Sequence, residues 1–351
     1  MGKLISSDFI IQENTTVFDA AAAIDASARQ VVFVCDGLKL LASFSDSDLR
    51  RYILHSGDMT KPVCNAANYS PIAVSSNELA KAQRLLDENP YIKGIPILNK
   101  NGEIVSIAFT ETTRMSKKKH LGIPIVIMAG GKGTRLAPFT DILPKPLIPV
   151  GDMTVTEHIM ERFLGFGCTE FTMIVSHKKE LIKAYFSETT LKGSLQFVDE
   201  EQFQGTGGGL KLLEGIVNST FFMTNCDILI EADYGDILKH HRENRALITM
   251  VCAMKKVTVP YGTIELNEVG KPISLVEKPE YPLLTNTGLY VIEPSFLDTI
   301  PSGAYVHITE LIQNLMDEGQ PVGMYPIGEA GWLDMGQLSE LKKMRRTLSC
   351  E

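Results

Sequence analysis

The chain has 351 residues, with 34 Lys and Arg against 42 Asp and Glu, a formal net charge of −8 at pH 7. At roughly 150 residues per domain this length predicts two domains, and 44% hydrophobic with 22% charged residues excludes disordered and fibrous classes. The acidic balance excludes a nucleic-acid backbone as the main partner, while leaving room for a local basic pocket. No apolar run approaches the roughly 18 residues of a membrane span. The start, Met1-Gly2-Lys3-Leu4-Ile5-Ser6-Ser7-Asp8, meets an acid too soon for a secretory leader, and Gly2 with Ser6 matches only a short myristoylation pattern. Six cysteines, at 35, 64, 168, 226, 252 and 350, form no CxxC pair. That usage predicts the reduced thiols of a cytoplasmic protein rather than a disulfide frame or a zinc site.

The first third reads as an internal duplication. Thr15 or Thr16 caps a helix running through Ala28, with Val17, Ala20, Ala21 and Ile24 on one face. Strands at Val31–Val34 and Leu40–Phe44 flank a turn at Asp36-Gly37, and a helix follows from Ser45 through Leu54. The pattern then returns: a helix at Leu79–Leu86, a strand at Gly94–Leu98, a turn at Asn101-Gly102 and a strand at Ile104–Phe109. Two such β-α-β-β-α units bury their sheets against each other, and neither is expected to be stable alone at that size.

The stretch Phe44-Ser45-Asp46-Ser47-Asp48-Leu49-Arg50-Arg51 resembles the "(T/S)DxDhRR" segment of CBS modules, and the repeat resembles a tandem CBS pair. The resemblance implies an adenine-nucleotide site, with Ser45 on phosphate and Asp48 on ribose hydroxyls. A helix N-terminus offers free N–H groups to phosphate, and a carboxylate accepts two hydroxyls. In the second copy Thr113 stands where the acid belongs, so at most one such site is expected. A helix cap at Ser45 in a pair that only mediates assembly is the alternative. CBS pairs often associate, so the resemblance also implies a homo-oligomer.

The run Arg114-Met115-Ser116-Lys117-Lys118-Lys119-His120 reads as a solvated linker. It sets the expected boundaries at residues 1–118 for the pair and 123–351 for a second domain. There, strands are expected at Ile125–Met128, Phe171–Val175, Leu195–Val198, Phe221–Thr224, Ala246–Val251 and Gly288–Ile292. Helices are expected at Thr154–Phe166, Glu180–Phe186, Gly208–Leu213 and Ile237–Arg242. The alternation predicts an α/β fold with a Rossmann-like, mainly parallel sheet, whose ligands gather at the carboxyl ends of the strands.

Chemistry concentrates in Met128-Ala129-Gly130-Gly131-Lys132-Gly133-Thr134-Arg135-Leu136, followed by Leu143-Pro144-Lys145-Pro146-Leu147. An apolar strand running into glycines lets backbone amides approach a phosphate. A Rossmann fingerprint needs glycine where Leu136 stands, and a Walker loop needs a terminal Gly-Lys-Ser/Thr. GGxGTRL followed by PKP instead resembles the sugar-1-phosphate nucleotidyltransferases over residues 124–351. Further matches are Asn225-Cys226-Asp227, Glu277-Lys278-Pro279, Asn286-Thr287-Gly288-Leu289-Tyr290 and Trp332-Leu333-Asp334-Met335-Gly336. Gly205-Thr206-Gly207-Gly208-Gly209 is similar to the family's "GT(A/G)G" turn facing the nucleobase. With an N-terminal CBS pair, the chain looks like the glucosamine-1-phosphate guanylyltransferases of legionaminic acid synthesis.

The resemblance implies attack of a sugar-1-phosphate oxygen on the α-phosphorus of an NTP, with GTP and glucosamine-1-phosphate as the narrow reading. The nucleophile is already anionic, so holding two polyanions together and stabilising the pentacoordinate charge are the main tasks. Arg135 suits this as a planar fork, Lys145 and Lys278 as point charges. Ala129, Gly130, Gly131, Gly133, Thr134, Gly205, Thr206 and Gly207 would line the nucleotide. Tyr261, Gly262, Glu277, Asn286 and Thr287 would select the sugar, since a buried carboxylate left without its hydroxyl discriminates strongly. Asp227 and Asp334 supply the hard oxygens of a Mg²⁺ site.

The ordinary readings are a helix cap at Asp227, a turn residue at Asp334, an ion pair at Glu277 and a hairpin turn at Tyr261-Gly262. His177, His240 and His241 lack metal spacing and read as surface or helix-end residues, Trp332 as core and Cys226 as a small buried filler. Other enzymes of the class stay open, namely mannose- or heptose-1-phosphate guanylyltransferases and glucose-1-phosphate cytidylyl- or uridylyltransferases. So does a non-catalytic nucleotide sensor, which would have no need of two phosphate lysines and two carboxylates.

Overall fold

The computed structural model describes residues 7–27, 29–55, 57–89, 92–109, 120–190, 192–336 and 344. The chain divides into two units. One comprises Met1–Ser116, Ala253–Thr285 and Gly328–Ala330, and the other Lys117–Cys252, Asn286–Ile327 and Gly331–Glu351. The break after Ser116 falls inside the basic run, whose residues up to 119 lie outside the described set, as does the Thr110–Thr113 stretch of the second repeat. The two later excursions into the first unit have no counterpart in the sequence reading.

The first unit shows its duplication in strand order. β1 (Ile10–Gln12), α1 (Val17–Ser27), β2 (Val31–Asp36), β3 (Lys39–Ser45) and α2 (Asp46–Leu54) make one copy. β4 (Val74–Ser75), α3 (Leu79–Glu88), β5 (Gly94–Leu98) and β6 (Ile104–Phe109) make the other. In each sheet the first strand pairs parallel with the second, which pairs antiparallel with the third. Thr16 accepts the Asp19 N–H at 3.0 Å and caps α1, whose Val17, Ala20, Ala21 and Ile24 are buried. Val31, Phe33 and Cys35 of the first sheet share a core with Ile104 of the second. Burying a side chain the size of Phe33 contributes about 3 kcal/mol, and neither sheet could bury it alone.

Two contacts inside this unit tie its later segments to α1. Lys256 bridges Asp19 at 3.4 Å and Glu280 at 2.6 Å. At the other end of the helix, half-buried Asp25 accepts backbone N–H groups of Glu329 and Ala330, and burial pushes its carboxyl up to about 6. The native state therefore binds this proton more tightly than the unfolded chain. The associated stability is complete below pH 4 and is lost as pH rises through 6. Solvent screening of a group this exposed reduces the penalty to about 1 kcal/mol at neutral pH. Asp25→Asn should therefore raise the melting temperature at pH 7.5 and flatten its decline between pH 4.5 and 7.5. Melts that keep the wild-type pH slope would refute the assignment.

In the second unit β7 (Ile125–Ala129) leads into the short α4 (Phe139–Ile142), a ribbon of β8 (Pro149–Val150) and β9 (Met153–Thr154), and α5 (Val155–Leu164). Next come β10 (Glu170–Val175), α6 (Lys179–Glu188), β11 (Ser194–Asp199), α7 (Gly205–Gly208), β12 (Phe221–Asn225), β13 (Ile228–Ile230), α8 (Tyr234–Glu243) and β14 (Ile248–Thr258). The hairpin β15 (Thr263–Leu266) and β16 (Pro272–Val276) belongs to the first unit, and β17 (Glu280–Ile292) returns. α9 (Ile308–Asp317), β18 (Val322–Ile327) and β19 (Trp332–Asp334) complete the chain order.

The main sheet runs β11-β10-β7-β12-β17-β14-β18. β11, β10, β7 and β12 are mutually parallel, but β17 is antiparallel to β12. The pairings β11–β10, β10–β7 and β7–β12 fit the expectation of a mainly parallel sheet, and the reversed β17 makes it mixed. Progress outward from β7 to β10 and β11 reverses when β12 pairs on the other side of β7, so the switch point lies between β7 and β12. Ligands of open α/β sheets bind outside the carboxyl ends of the strands at such a point. The helix expected at Gly208–Leu213 is instead the four-residue α7 followed by a 3-10 stretch at Gly209–Leu213, because consecutive glycines lose too much freedom to sustain a longer helix.

Candidate active site

β7 is buried throughout, and its carboxyl end opens directly onto Gly130 and Gly131. Gly133 then turns left-handed at φ 68°, and a Cβ there would stand 2.9 Å from the Thr140 methyl carbon. Thr140 donates to the Gly133 carbonyl at 2.9 Å and fixes the loop from the far side. This turn delivers Thr134 and Arg135 to solvent while Leu136 anchors the segment inside. Lys178, not singled out from the sequence, donates to the carbonyls of Thr140, Asp141 and Ile142 at 3.1, 2.7 and 3.0 Å. Its charge is spent on the C-terminal carbonyls of α4 rather than offered to a phosphate.

At the end of β12, Asp227 is 5% exposed and forms an ion pair with Lys145. The antiparallel ladder of β13 and β19 sets Ile228 opposite Asp334, and the Met335 N–H donates to the Asp227 carbonyl at 2.9 Å. Two carboxylates far apart in sequence thereby become neighbours. Burial, and then the charge of Asp227, push the Asp334 carboxyl above its usual range, against the pull of the Gly336 N–H, Lys145 and Arg135. Burial alone would lower the Lys145 ammonium, yet Asp227 leads the groups that carry it above its ordinary value. Arg135, Lys145, Asp227 and Asp334 thus share one electrostatic centre at the β7/β12 switch point. Of the ordinary readings, the helix cap fails, since no helix follows Asp227, whereas Asp334, the last residue of β19, does accept the Gly336 N–H at 2.7 Å as a turn residue would.

The two adjacent acids repel one another, Lys145 offsets part of that repulsion, and a divalent cation would offset more. Two carboxylates with substrate oxygens filling the remaining positions match the way Mg²⁺ is usually held. Cys226, beside Asp227, is buried, which pushes its thiol up to about 12 and makes it a filler rather than a nucleophile. His241 ends α8 but is wholly buried between Thr249 and Glu293, at 2.8 and 3.0 Å, so the surface reading is corrected for it.

The glycine turn at 205–208 packs on the segment before α9. The amides of Gly207 and Gly208 both donate to the Val306 carbonyl, and Thr206 Oγ1 accepts the Ile308 N–H at 3.3 Å, in the first turn of α9. Those amides are occupied within the fold, which leaves the turn to act through its shape. Asn286 donates to Tyr290 at 2.7 Å and accepts the Gly288 N–H. Thr287 is buried and donates to the Val251 carbonyl at 2.8 Å, so its hydroxyl faces the sheet.

In the first unit, the register of β15 and β16 places Tyr261-Gly262 across from Glu277-Lys278. Tyr261 is exposed, a Cβ on Gly262 would stand 3.0 Å from Glu277 Oε2, and Lys278 adopts φ 48°. Ser45 and Asp48 form a reciprocal capping box on α2, with Ser45 Oγ donating to Asp48 Oδ2 at 2.6 Å and Arg51 paired to Oδ1 at 3.2 Å. Among the described residues the five cysteines 35, 64, 168, 226 and 252 are free thiols, and no helix is long and apolar enough to cross a membrane.

Glu200 escaped the sequence reading. It follows β11 and is 1% exposed. Its only advance sign is an acid at the end of an apolar strand, five residues before the glycine turn.

Residues 125–349 match the family model described as nucleotidyl transferase. The chain is 31% identical over 219 residues to a mannose-1-phosphate guanylyltransferase of Mycobacterium tuberculosis, covering 61% of each. It is 32% identical over 250 residues to a UTP–glucose-1-phosphate uridylyltransferase of Synechocystis, covering 64% of this chain and 63% of that one. It thus spans about three fifths of the length of these curated relatives. In fold it is similar to HddC from Yersinia pseudotuberculosis, solved also with GMP-PN, at TM-score 0.51 and 21% identity over 64% of this chain and 99% of that one.

Proposed function

Because the chain belongs to the nucleotidyl transferase family, we propose that it transfers a nucleotidyl group from an NTP to a sugar-1-phosphate and releases pyrophosphate. The observation that carries this reading is the convergence of Lys145, Arg135, Asp227 and Asp334 at the sheet's switch point, beside the glycine-rich loop after β7. Asp227 and Asp334 would hold Mg²⁺, which supplies positive charge to the triphosphate. Lys145 exchanges Asp227 for a phosphate oxygen, and Arg135, free in solvent on a fixed turn, grips the transferring phosphoryl group by two N–H donors. Lys278 and Glu277, with Tyr261, Gly262, Asn286 and Thr287, are assigned the sugar-phosphate side.

The narrow reading is GTP plus glucosamine-1-phosphate giving GDP-glucosamine for legionaminic acid synthesis, in a cytoplasmic homo-oligomer whose N-terminal unit is a tandem CBS pair. Guanylyltransferases among the relatives support the base. Uridylyltransferases among them keep UTP with glucose-1-phosphate as the competing pair. An adenine nucleotide at the CBS pair would have to open the Ser45–Asp48 capping box.

The test is pyrophosphate release over a matrix of NTPs and sugar-1-phosphates with Mg²⁺. Turnover with GTP and glucosamine-1-phosphate alone is expected. Turnover confined to UTP and glucose-1-phosphate would replace the narrow pair, and none with any pair would leave a sensor.

A further inference from the structure

Chain order puts the turn at 328–330 just ahead of the charged centre. It follows β18 and leads at once into β19, whose last residue is Asp334. Yet Gly328–Ala330 clusters with the first unit, while the residues on either side belong to the second. The 3-10 stretch Glu329–Gly331 buries none of its residues, and Glu329 and Ala330 are exposed. A segment without an apolar anchor takes its position from its backbone bonds. Here they go to Asp25, which accepts the N–H groups of both Glu329 and Ala330. The chain passes so close that a Cβ on Gly328 would overlap both carboxylate oxygens.

Asp25 is itself rigidly presented. α1 is capped by Thr16 and seated in the core by Val17, Ala20, Ala21 and Ile24. Lys256 ties down its first turn through Asp19. The carboxylate sits there at a cost: burial, followed by the charges of Asp46 and Glu329, pushes it up against the pull of the two N–H groups. An amide of the same shape would escape that cost, but it presents one acceptor and a donor where Asp presents two acceptors. A side chain whose neutral isostere is the more stable fits a function held against stability.

Beyond the turn, the place of Asp334 depends on how its strand enters. β19 has three residues and forms a two-stranded sheet with the three of β13, and a ribbon that short is marginal on its own. At its entry the Glu231 N–H donates to the Gly331 carbonyl at 2.8 Å, and at its exit the Met335 N–H donates to the Asp227 carbonyl. We propose that Asp25 is a positioning residue for nucleotidyl transfer: by holding 328–330 from α1, it sets the entry of β19 and with it the place of the Asp334 carboxylate. The first repeat thereby contributes to catalysis without touching a substrate. This rests on the nucleotidyl-transfer reading for the role of Asp334 and goes beyond it in giving the first unit a task.

The chain's single tryptophan, Trp332, lies two residues past Ala330 and is half-buried, so its fluorescence reads the strand entry without any turnover. In full-length Asp25→Ala the emission should shift to longer wavelength. The Mg²⁺ concentration for half-maximal pyrophosphate release should rise about 10-fold, and kcat at saturating Mg²⁺ should fall about 10-fold, with a smaller change in KM for the NTP. Asp25→Asn should lie between D25A and wild type on both readouts, although it melts above wild type at neutral pH. A merely structural role predicts instead that activity follows the melting temperature. Gly328→Ala should reproduce D25A, since its methyl group displaces the carboxylate, and should add nothing in the D25A background. Unchanged Trp332 emission or unchanged Mg²⁺ dependence in folded D25A overturns the assignment, as do additive losses in the double variant. If D25A does not fold, G328A and D25N carry the same two readouts. Turnover with no substrate pair would sink the transfer reading, and the emission shift would still decide the hold on β19. Turnover that D25A leaves intact would do the reverse.

Discussion

Asp227→Asn should lower kcat/KM for pyrophosphate release by about 10³-fold or more, the loss expected when a group aimed at the transferring phosphate is removed. The substitution keeps the side chain's shape, so the turn after β12 and the Met335 N–H bond to the Asp227 carbonyl survive. What disappears is charge. Lys145, 15% exposed at its side chain, then faces a neutral amide, and breaking one member of a buried pair destabilises by about 3 kcal/mol. A melt must accompany the assay to show that the variant is folded at the assay temperature. Asp334 also loses the neighbour that raises its carboxyl and cannot hold a divalent ion alone. A folded variant retaining a tenth of wild-type activity would remove Asp227 from the mechanism.

The sequence disclosed this centre because its parts are local. The glycines after Ala129, the proline-flanked Lys145 and the strand-ending Asp227 are each visible within a few residues, and elements such as β5 and β6 match their expected bounds residue for residue. What it could not disclose is long-range pairing. The β13–β19 ladder joins Ile228 to Asp334 across a hundred residues, and nothing in either tripeptide announces the other. The reversal of β17 is hidden for the same reason. Glu200 was missed because a run of three acids, Asp199-Glu200-Glu201, reads as solvated; its burial and the glycine at 130, packed on its carboxyl, reveal that the middle one points inward. Ser45 and Asp48 show the converse. A motif with a ligand reading turns out to satisfy itself, since the spacing that places a carboxylate near a ribose also completes a capping box.

Lys145→Met should cost about 10²- to 10³-fold in kcat with a smaller change in KM, since its charge serves the transition state more than the bound nucleotide. Lys145→Arg should not rescue it. The planar fork needs a different approach from the point charge now seated against Asp227. Stability supplies a second readout independent of turnover. In K145M the carboxylates of Asp227 and Asp334 lose the cation between them, and their mutual repulsion remains uncompensated in a partly buried site. The apo variant should therefore melt below wild type, and millimolar Mg²⁺ should recover more of that loss than it adds to wild type, by the linkage of binding to folding. In wild type the ammonium competes with the ion for Asp227; in K145M nothing does. Asp227→Asn combined with K145M should abolish the Mg²⁺ response and cost much less than the sum of the two single losses in kcat, because the residues act as one unit. Additive losses, or equal stabilisation of wild type and K145M by Mg²⁺, would mean that the lysine and the carboxylates serve separate sites.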